Sequence, residues 1–137
     1  WEVTSFEGYF MKHKVYFTAT KESPLQKNLY SVDIRNDRIV RLSPDHGSHS
    51  GLASHDGKYI IDIYSSTDVS RAYKLVNYHG KVLRTILADS HPLKAYQLGE
   101  MSIFKLKSED GSDLYCRMIK PVGFDSTKKY PVIVYVY

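Results

Sequence analysis

Cysteine is almost missing from these 137 residues: Cys116 stands alone, so no internal disulfide can staple the fold. It alternates with Leu114 and Met118, which marks it as a small buried hydrophobe rather than a nucleophile. Long apolar runs are missing too. No stretch approaches the roughly 20 residues of a membrane span, and the opening "WEVTSF" reads as a strand, not as a signal peptide. Concentrated charge is also lacking. Lysine and arginine number 19 against 15 acids, a net charge of +4, yet no basic run exceeds two residues. That dispersal sets nucleic-acid binding aside, because a basic stripe is what a phosphate backbone requires. The chain contains no G-x-S-x-G sequence, and so no nucleophile elbow of the hydrolase kind.

What is present points to sheet. Hydrophobic residues make up 42% and charged residues 25%, a globular balance, and 12 Tyr with 5 Phe favour strands. "KVYFTATK", "NLYSVDI" and "RIVRLS" read as three strands broken at Pro24 and at the turn "RND". The order returns 43 to 44 residues later in "KYIIDIYSS", "AYKLVNY" and "GKVLRTI", with Tyr73 matching Tyr30 and Lys81 to Arg84 matching Arg38 to Arg41. "WEVTSF" and "HSGLAS" supply a leading strand for each unit. Four strands at this period mark a β-propeller blade. The alternative is an antiparallel sandwich whose halves happen to look alike.

After the second unit the pattern changes. "DSHPLKAYQLG" predicts a short helix, with Ser90 as N-cap, Pro92 in the first turn and Gly99 at the stop. "MSIFKLKSEDGSDLYCRMIKP" predicts a hairpin turning at Glu109-Asp110-Gly111. "KKYPVIVYVY" predicts a strand of the kind buried on both faces in a parallel sheet. The expected organisation is mainly β. Residues 1–90 hold two four-stranded blades, and residues 91–137 hold a linker helix, a hairpin and the first strands of an α/β layer. Both ends read as cut from something larger. Exposed blade faces and an unpartnered last strand predict self-association.

"WEVTSFEGY", "VYFTATKESPLQKNLYSVD", "GKVLRT" and "MIKPVGFDSTKKYPVIVYVY" closely resemble the dipeptidyl peptidase IV branch of the prolyl oligopeptidase family of serine peptidases. Bacterial members, prolyl tripeptidyl peptidases among them, look most alike, and the similarity runs along essentially the whole chain. The resemblance implies the last two blades of a propeller that caps an α/β-hydrolase domain, followed by the start of that domain. It implies a parent enzyme that releases N-terminal dipeptides or tripeptides after Pro or Ala through a Ser-His-Asp triad, with the propeller gating and positioning the substrate. The triad Ser, Asp and His are not matched in this sequence, so the chain by itself is expected to be inactive. Tyr137 falls where the family carries an oxyanion-stabilising Tyr, a neutral phenolic donor beside a backbone N–H. The implied partners are peptides with Pro at the penultimate position or just before the cleaved bond, and a second copy in a homodimer. The implied location is periplasmic, envelope or secreted. No cofactor and no metal is expected. The competing class is a non-catalytic propeller module that docks a protein.

Three other stretches carry chemistry-bearing side chains. "DHGSHSGLASHDG" gathers His46, His49 and His55 with Asp45 and Asp56, a ligand set for zinc if they converge. Read as loop, strand and turn, the same residues serve turn chemistry, with His49 inside the blade or towards a central channel. "SEDGSD" carries three carboxylates but lacks the length of a calcium loop, so it reads as a solvated hairpin tip. "KESPLQKN" reads as an exposed loop at a blade rim.

Overall fold

The computed structural model describes residues 1–89 and 93–136. Strands β1 (Val3–Phe10), β2 (Lys14–Ala19), β3 (Asn28–Asp33) and β4 (Arg38–Arg41) form one antiparallel sheet in sequence order. Strands β5 (Ser48–Ala53), β6 (Tyr59–Ser65), β7 (Ala72–Asn77) and β8 (Val82–Ala88) form a second in the same order. Each is a four-stranded meander, the build of a propeller blade. Together they make up one compact unit, residues 1–92, and residues 93–137 make up another.

The alternation of side chains explains why these segments become strands. In β2, Phe17 and Ala19 point to one face and Tyr16 and Thr18 to the other, and all four are buried. Pairing sets Phe17 opposite Tyr30 and Thr18 opposite Leu29 in the first sheet, and Ile60 opposite Val76 in the second. Tyr16 and Leu29 of the first sheet, with Leu42 just past β4, then meet Ile60 and Val76 of the second in one buried cluster, with Phe10, Val40, Ala53 and Tyr78 at its margin. Burying each such aliphatic side chain contributes about 1.5–3 kcal/mol. Phe17, Ala19 and Tyr30 form a second cluster on the opposite face of the first sheet, where Phe17 stacks 5.5 Å from Tyr30 and 6.4 Å from Trp1.

The seam between the sheets is close because Gly51 has no side chain. A Cβ there would lie 3.0 and 3.1 Å from the two methyls of Leu29 and 3.3 Å from Cγ2 of Ile60. Hydrogen bonds lock the seam beside this contact. The phenol of Tyr16 donates to the Gly57 carbonyl at 2.7 Å, and the His49 N–H donates to the Lys27 carbonyl at 2.7 Å, beside a parallel bridge between Lys27 and Ser48. Burial pushes the Tyr16 hydroxyl up to about 12, with the neighbouring Tyr78 and Asp56 adding to the shift. The β1–β2 turn is tight. Met11 and Lys12 both take positive φ, 53° and 60°, the pairing of a type I′ hairpin turn usually given to Asn-Gly.

In the second unit, β9 (Met101–Lys107) and β10 (Asp113–Ile119) pair as the expected hairpin. Two expectations change here, and the last segment has no strand beside it among the described residues, as expected. Cys116 is half-buried, with Leu114 48% and Met118 42% exposed, because a two-stranded ribbon has no covering layer of its own. The expected helix is not seen among the described residues. Ser90 and Pro92 lie outside them, residues 93–95 make a single turn closed by the Tyr96 N–H on the Leu93 carbonyl at 2.9 Å, and no strand or helix follows before β9. A helix this short is marginal without an apolar face to bury, and Leu93, Tyr96 and Leu98 are exposed. Residues 131–136 lie outside the ten strands, and Ile133 is 97% exposed. A β-branched run becomes a strand only beside a neighbouring strand.

Two predictions follow from the seam. Gly51→Ala and Leu29→Ala should each lower the urea midpoint, the second by about 3 kcal/mol. The double variant should lose less than the sum, because removing the Leu29 methyls makes room for the new Cβ; strict additivity would show that the two do not press on each other. Tyr16→Phe should cost about 1 kcal/mol at neutral pH. The folded chain holds the Tyr16 proton up to about pH 12, whereas an ordinary tyrosine releases it near 10. That contribution is full below pH 10 and is lost between roughly 10 and 12. The gap in melting temperature between wild type and Tyr16→Phe should therefore narrow over that range.

Candidate functional site

The chemistry-bearing residues converge on the connector between the two blades. His49 leaves β5 on the seam face, one position along the strand face from Gly51, and its neighbours on that face are Asp62 and Tyr64 of β6. Nδ1 of His49 lies 2.8 Å from Oδ1 of Asp62, and both side chains are fully buried. Nε2 lies 3.1 Å from the backbone carbonyl of Asp45 in the connector. The Tyr64 ring stacks on the imidazole with centroids 4.9 Å apart.

Asp45 gathers cations as well. Its carboxylate takes the Lys74 ammonium of β7, and its carbonyl also accepts from the Arg41 guanidinium of β4. Lys74 lies over the Tyr64 ring at 5.1 Å from the centroid. Arg41 reaches Ser43 at 3.3 Å, and Ser43 donates to the Asn28 amide oxygen at 3.1 Å, so the network runs back into the first blade. Oδ2 of Asp62 is buried with no hydrogen-bond partner among the described residues. An open cleft of 340 Å³ lies between β1 and β5, lined by Thr4, Glu7, Lys27, His49 and Ser50 among others.

The three histidines do not converge. His49 has both ring nitrogens engaged inside the blade. The His46 carbonyl accepts from Tyr64 at 3.3 Å, and His55 sits in the turn between β5 and β6. Asp56 is spent on that turn: the Ser54 hydroxyl at 2.7 Å, with help from the Lys58 N–H, holds its carboxyl below the usual range. Among the described residues no group of three or more His, Cys, Asp or Glu is placed to hold a metal ion. In the β9–β10 turn the carboxylates also diverge. Asp110 accepts from Ser108 and the Ser112 N–H, and Asp113 pairs with Lys107 at 2.6 Å and Lys105 at 3.0 Å. The loop over residues 21–28 ends in a buried Asn28 whose amide donates to Glu22 at 3.2 Å.

Tyr137, the oxyanion donor implied by resemblance, lies outside the described residues. Asp62 and its link to His49 are what reading the sequence missed. The available signal was a single acid inside the apolar run "KYIIDIY", on the face that must be buried.

Comparison with known proteins decides the family. The family model described as "Dipeptidyl peptidase IV (DPP IV) N-terminal region" matches residues 1–71, more than half of the 137. The chain belongs to the dipeptidyl peptidase IV family. Within that family, mouse (Mus musculus) dipeptidyl peptidase 8 is 32% identical over 153 aligned residues, covering 100% of this chain and 17% of the relative. A probable dipeptidyl peptidase 4 of Neosartorya fischeri is 32% identical over 143 residues, covering 100% of this chain and 19% of its own length. Among solved structures, a putative dipeptidyl aminopeptidase IV from Bacteroides ovatus superposes with a TM-score of 0.89 at 36% identity, over 98% of this chain and 20% of that one. Porphyromonas gingivalis dipeptidyl peptidase 4 superposes at 0.87 with 28% identity over 96% of this chain. The chain thus spans about a fifth of the length of these dipeptidyl peptidase IV relatives, and its two four-stranded sheets are blades of the family's propeller. The part matched by the family model includes β5 and β6, and with them His49 and Asp62.

Proposed function

We propose that this chain is the propeller-to-hydrolase segment of a serine-type exopeptidase that releases N-terminal dipeptides or tripeptides after proline or alanine. Residues 1–90 serve as two blades that restrict access and position the peptide. Residues 91–137 open the hydrolase domain. What carries the reading is the superposition on a putative dipeptidyl aminopeptidase IV over 98% of the chain at 36% identity. A likeness confined to blades would suit any propeller. This one takes in the hairpin and the residues that follow it as well.

In this reading Tyr137 supplies the chemistry. When a serine oxygen adds to the scissile carbonyl, the carbonyl oxygen gains negative charge, and the Tyr137 phenol donates its hydrogen to it. A neutral donor fixed on a rigid ring needs no reorganisation as that charge appears. The nucleophile, acid and base belong to sequence other than these 137 residues, so the chain assayed by itself should not cleave a Xaa-Pro chromogenic amide.

The experiment is made on the full-length protein. Its sequence beyond Tyr137 should show a small residue and Gly-Pro, then a G-x-S-x-G elbow. Tyr137→Phe should lower kcat on a Xaa-Pro amide by about a hundred- to a thousandfold with little change in melting temperature. Full activity of Tyr137→Phe would remove Tyr137 from the mechanism. A full-length protein with no elbow and no peptidase activity would instead make the propeller a protein-docking module.

A further inference from the structure

His49 presents a ring nitrogen to an acceptor on each side. The partner of Nε2, 3.1 Å away, is the Asp45 carbonyl oxygen, which has no hydrogen to give. Nε2 must therefore carry the hydrogen of that contact. A neutral ring with its hydrogen on Nε2 leaves only a lone pair on Nδ1, yet Nδ1 stands 2.8 Å from a carboxyl oxygen of Asp62. Two lone pairs at that distance repel, so a second hydrogen lies between Nδ1 and Oδ1, whichever atom formally owns it.

The burial of Asp62 points the same way. Its side chain is fully enclosed, and Oδ2 has no hydrogen-bond partner among the described residues. An ionised carboxylate with one bare oxygen in such a place is expensive. No nearby cation hydrogen-bonds to it, although Lys74 stands directly across from Asp62 on β7. Lys74 is taken by the Asp45 carboxylate, Arg41 by the Asp45 carbonyl and Ser43. Lys27 and Arg71 line the clefts beside His49, Glu7 faces the first of those clefts from β1, and Tyr64 covers the ring face.

We propose that His49 and Asp62 hold one shared proton in the folded chain, and that this proton fastens the inter-blade connector at Asp45 to strand β6. Free histidine and aspartate have ordinary pKa values of about 6.5 and 3.9. Above roughly pH 6.5 the unfolded chain therefore leaves the pair without this proton, while the folded chain keeps it. The folded state then binds more protons than the unfolded one, and stability falls as pH rises. Below about pH 6 both states hold the proton and the dependence vanishes. The blade seam is in this sense a pH-sensitive fastening, tighter in mildly acidic surroundings.

Asp62→Asn is the deciding variant. Its amide can donate N–H to a neutral Nδ1, so every contact survives without the extra proton. The melting temperature of wild type should fall between about pH 6 and pH 9, and that of Asp62→Asn should stay nearly level over the same range. Parallel slopes in the two proteins would overturn the proposal. So would ring ¹⁵N shifts of wild-type His49 that put its only hydrogen on Nδ1 at neutral pH, with Nε2 bare. If Asp62→Asn folds poorly, those shifts decide alone.

Discussion

The packing of residues 1–89 depends on two sheets that meet face to face at one apolar centre. Four strands cannot cover both of their own faces, so each sheet relies on the next. The contact is made where bulk meets absence. The Leu29 methyls reach the backbone of Gly51, and Ile60 fills the space beside them. Interiors are packed like crystals of small molecules, so one additional carbon at such a point is felt directly. The Tyr16 phenol closes the margin of the cluster by capping a carbonyl that would otherwise be buried and bare.

The apolar centre fixes how close the blades come, but an apolar contact has little directional preference. Direction comes from the polar end of the seam. The connector after β4 bends back through Asp45, whose carbonyl is held by Arg41 from the first blade and by His49 from the second. Its carboxylate is held by Lys74 across the second sheet. One residue of connector is thus tied to both sheets, and those ties resist sliding or rotation of one sheet on the other. Buried polar groups of this kind add little net stability while restricting the geometries that satisfy them.

Much of the fold could be read from the amino acids because a blade is local. Each strand pairs with its sequence neighbour, so alternation and turn residues were enough for all eight blade strands. The repeat was less exact than it looked. Aligning Lys14 with Lys58 makes Ile61 the counterpart of Phe17. Phe17 faces Tyr30 but Ile61 faces Leu75, so Tyr30 corresponds to Leu75 and not to Tyr73. Both tyrosines fit a pleated sheet equally well, so residue type alone could not choose between registers two positions apart. The His49–Asp62 pair was illegible for a different reason. It joins residues 13 apart on adjacent strands, and its meaning depends on the seam covering that face. The helix and last-strand signals are not realised among the described residues, because propensity is a weak prior that packing must complete. "PVIVYVY" has the residues of a central strand, but a strand is a pairing and not a composition.

That locality also says how far the seam's chemistry reaches. In a repeat architecture, stability is close to a sum of unit terms and nearest-neighbour interface terms. The interface between these two blades is built from residues 10 to 80, and both sides of it are present. The outer face of the second blade is a separate matter, with Leu52 62% and Leu87 56% exposed. A partner on that outer face would add an interface term of its own without rewriting the first. The Gly51 contact, the Tyr16 cap and the proton between His49 and Asp62 therefore belong to one joint, which acts as a unit in any larger assembly that contains it.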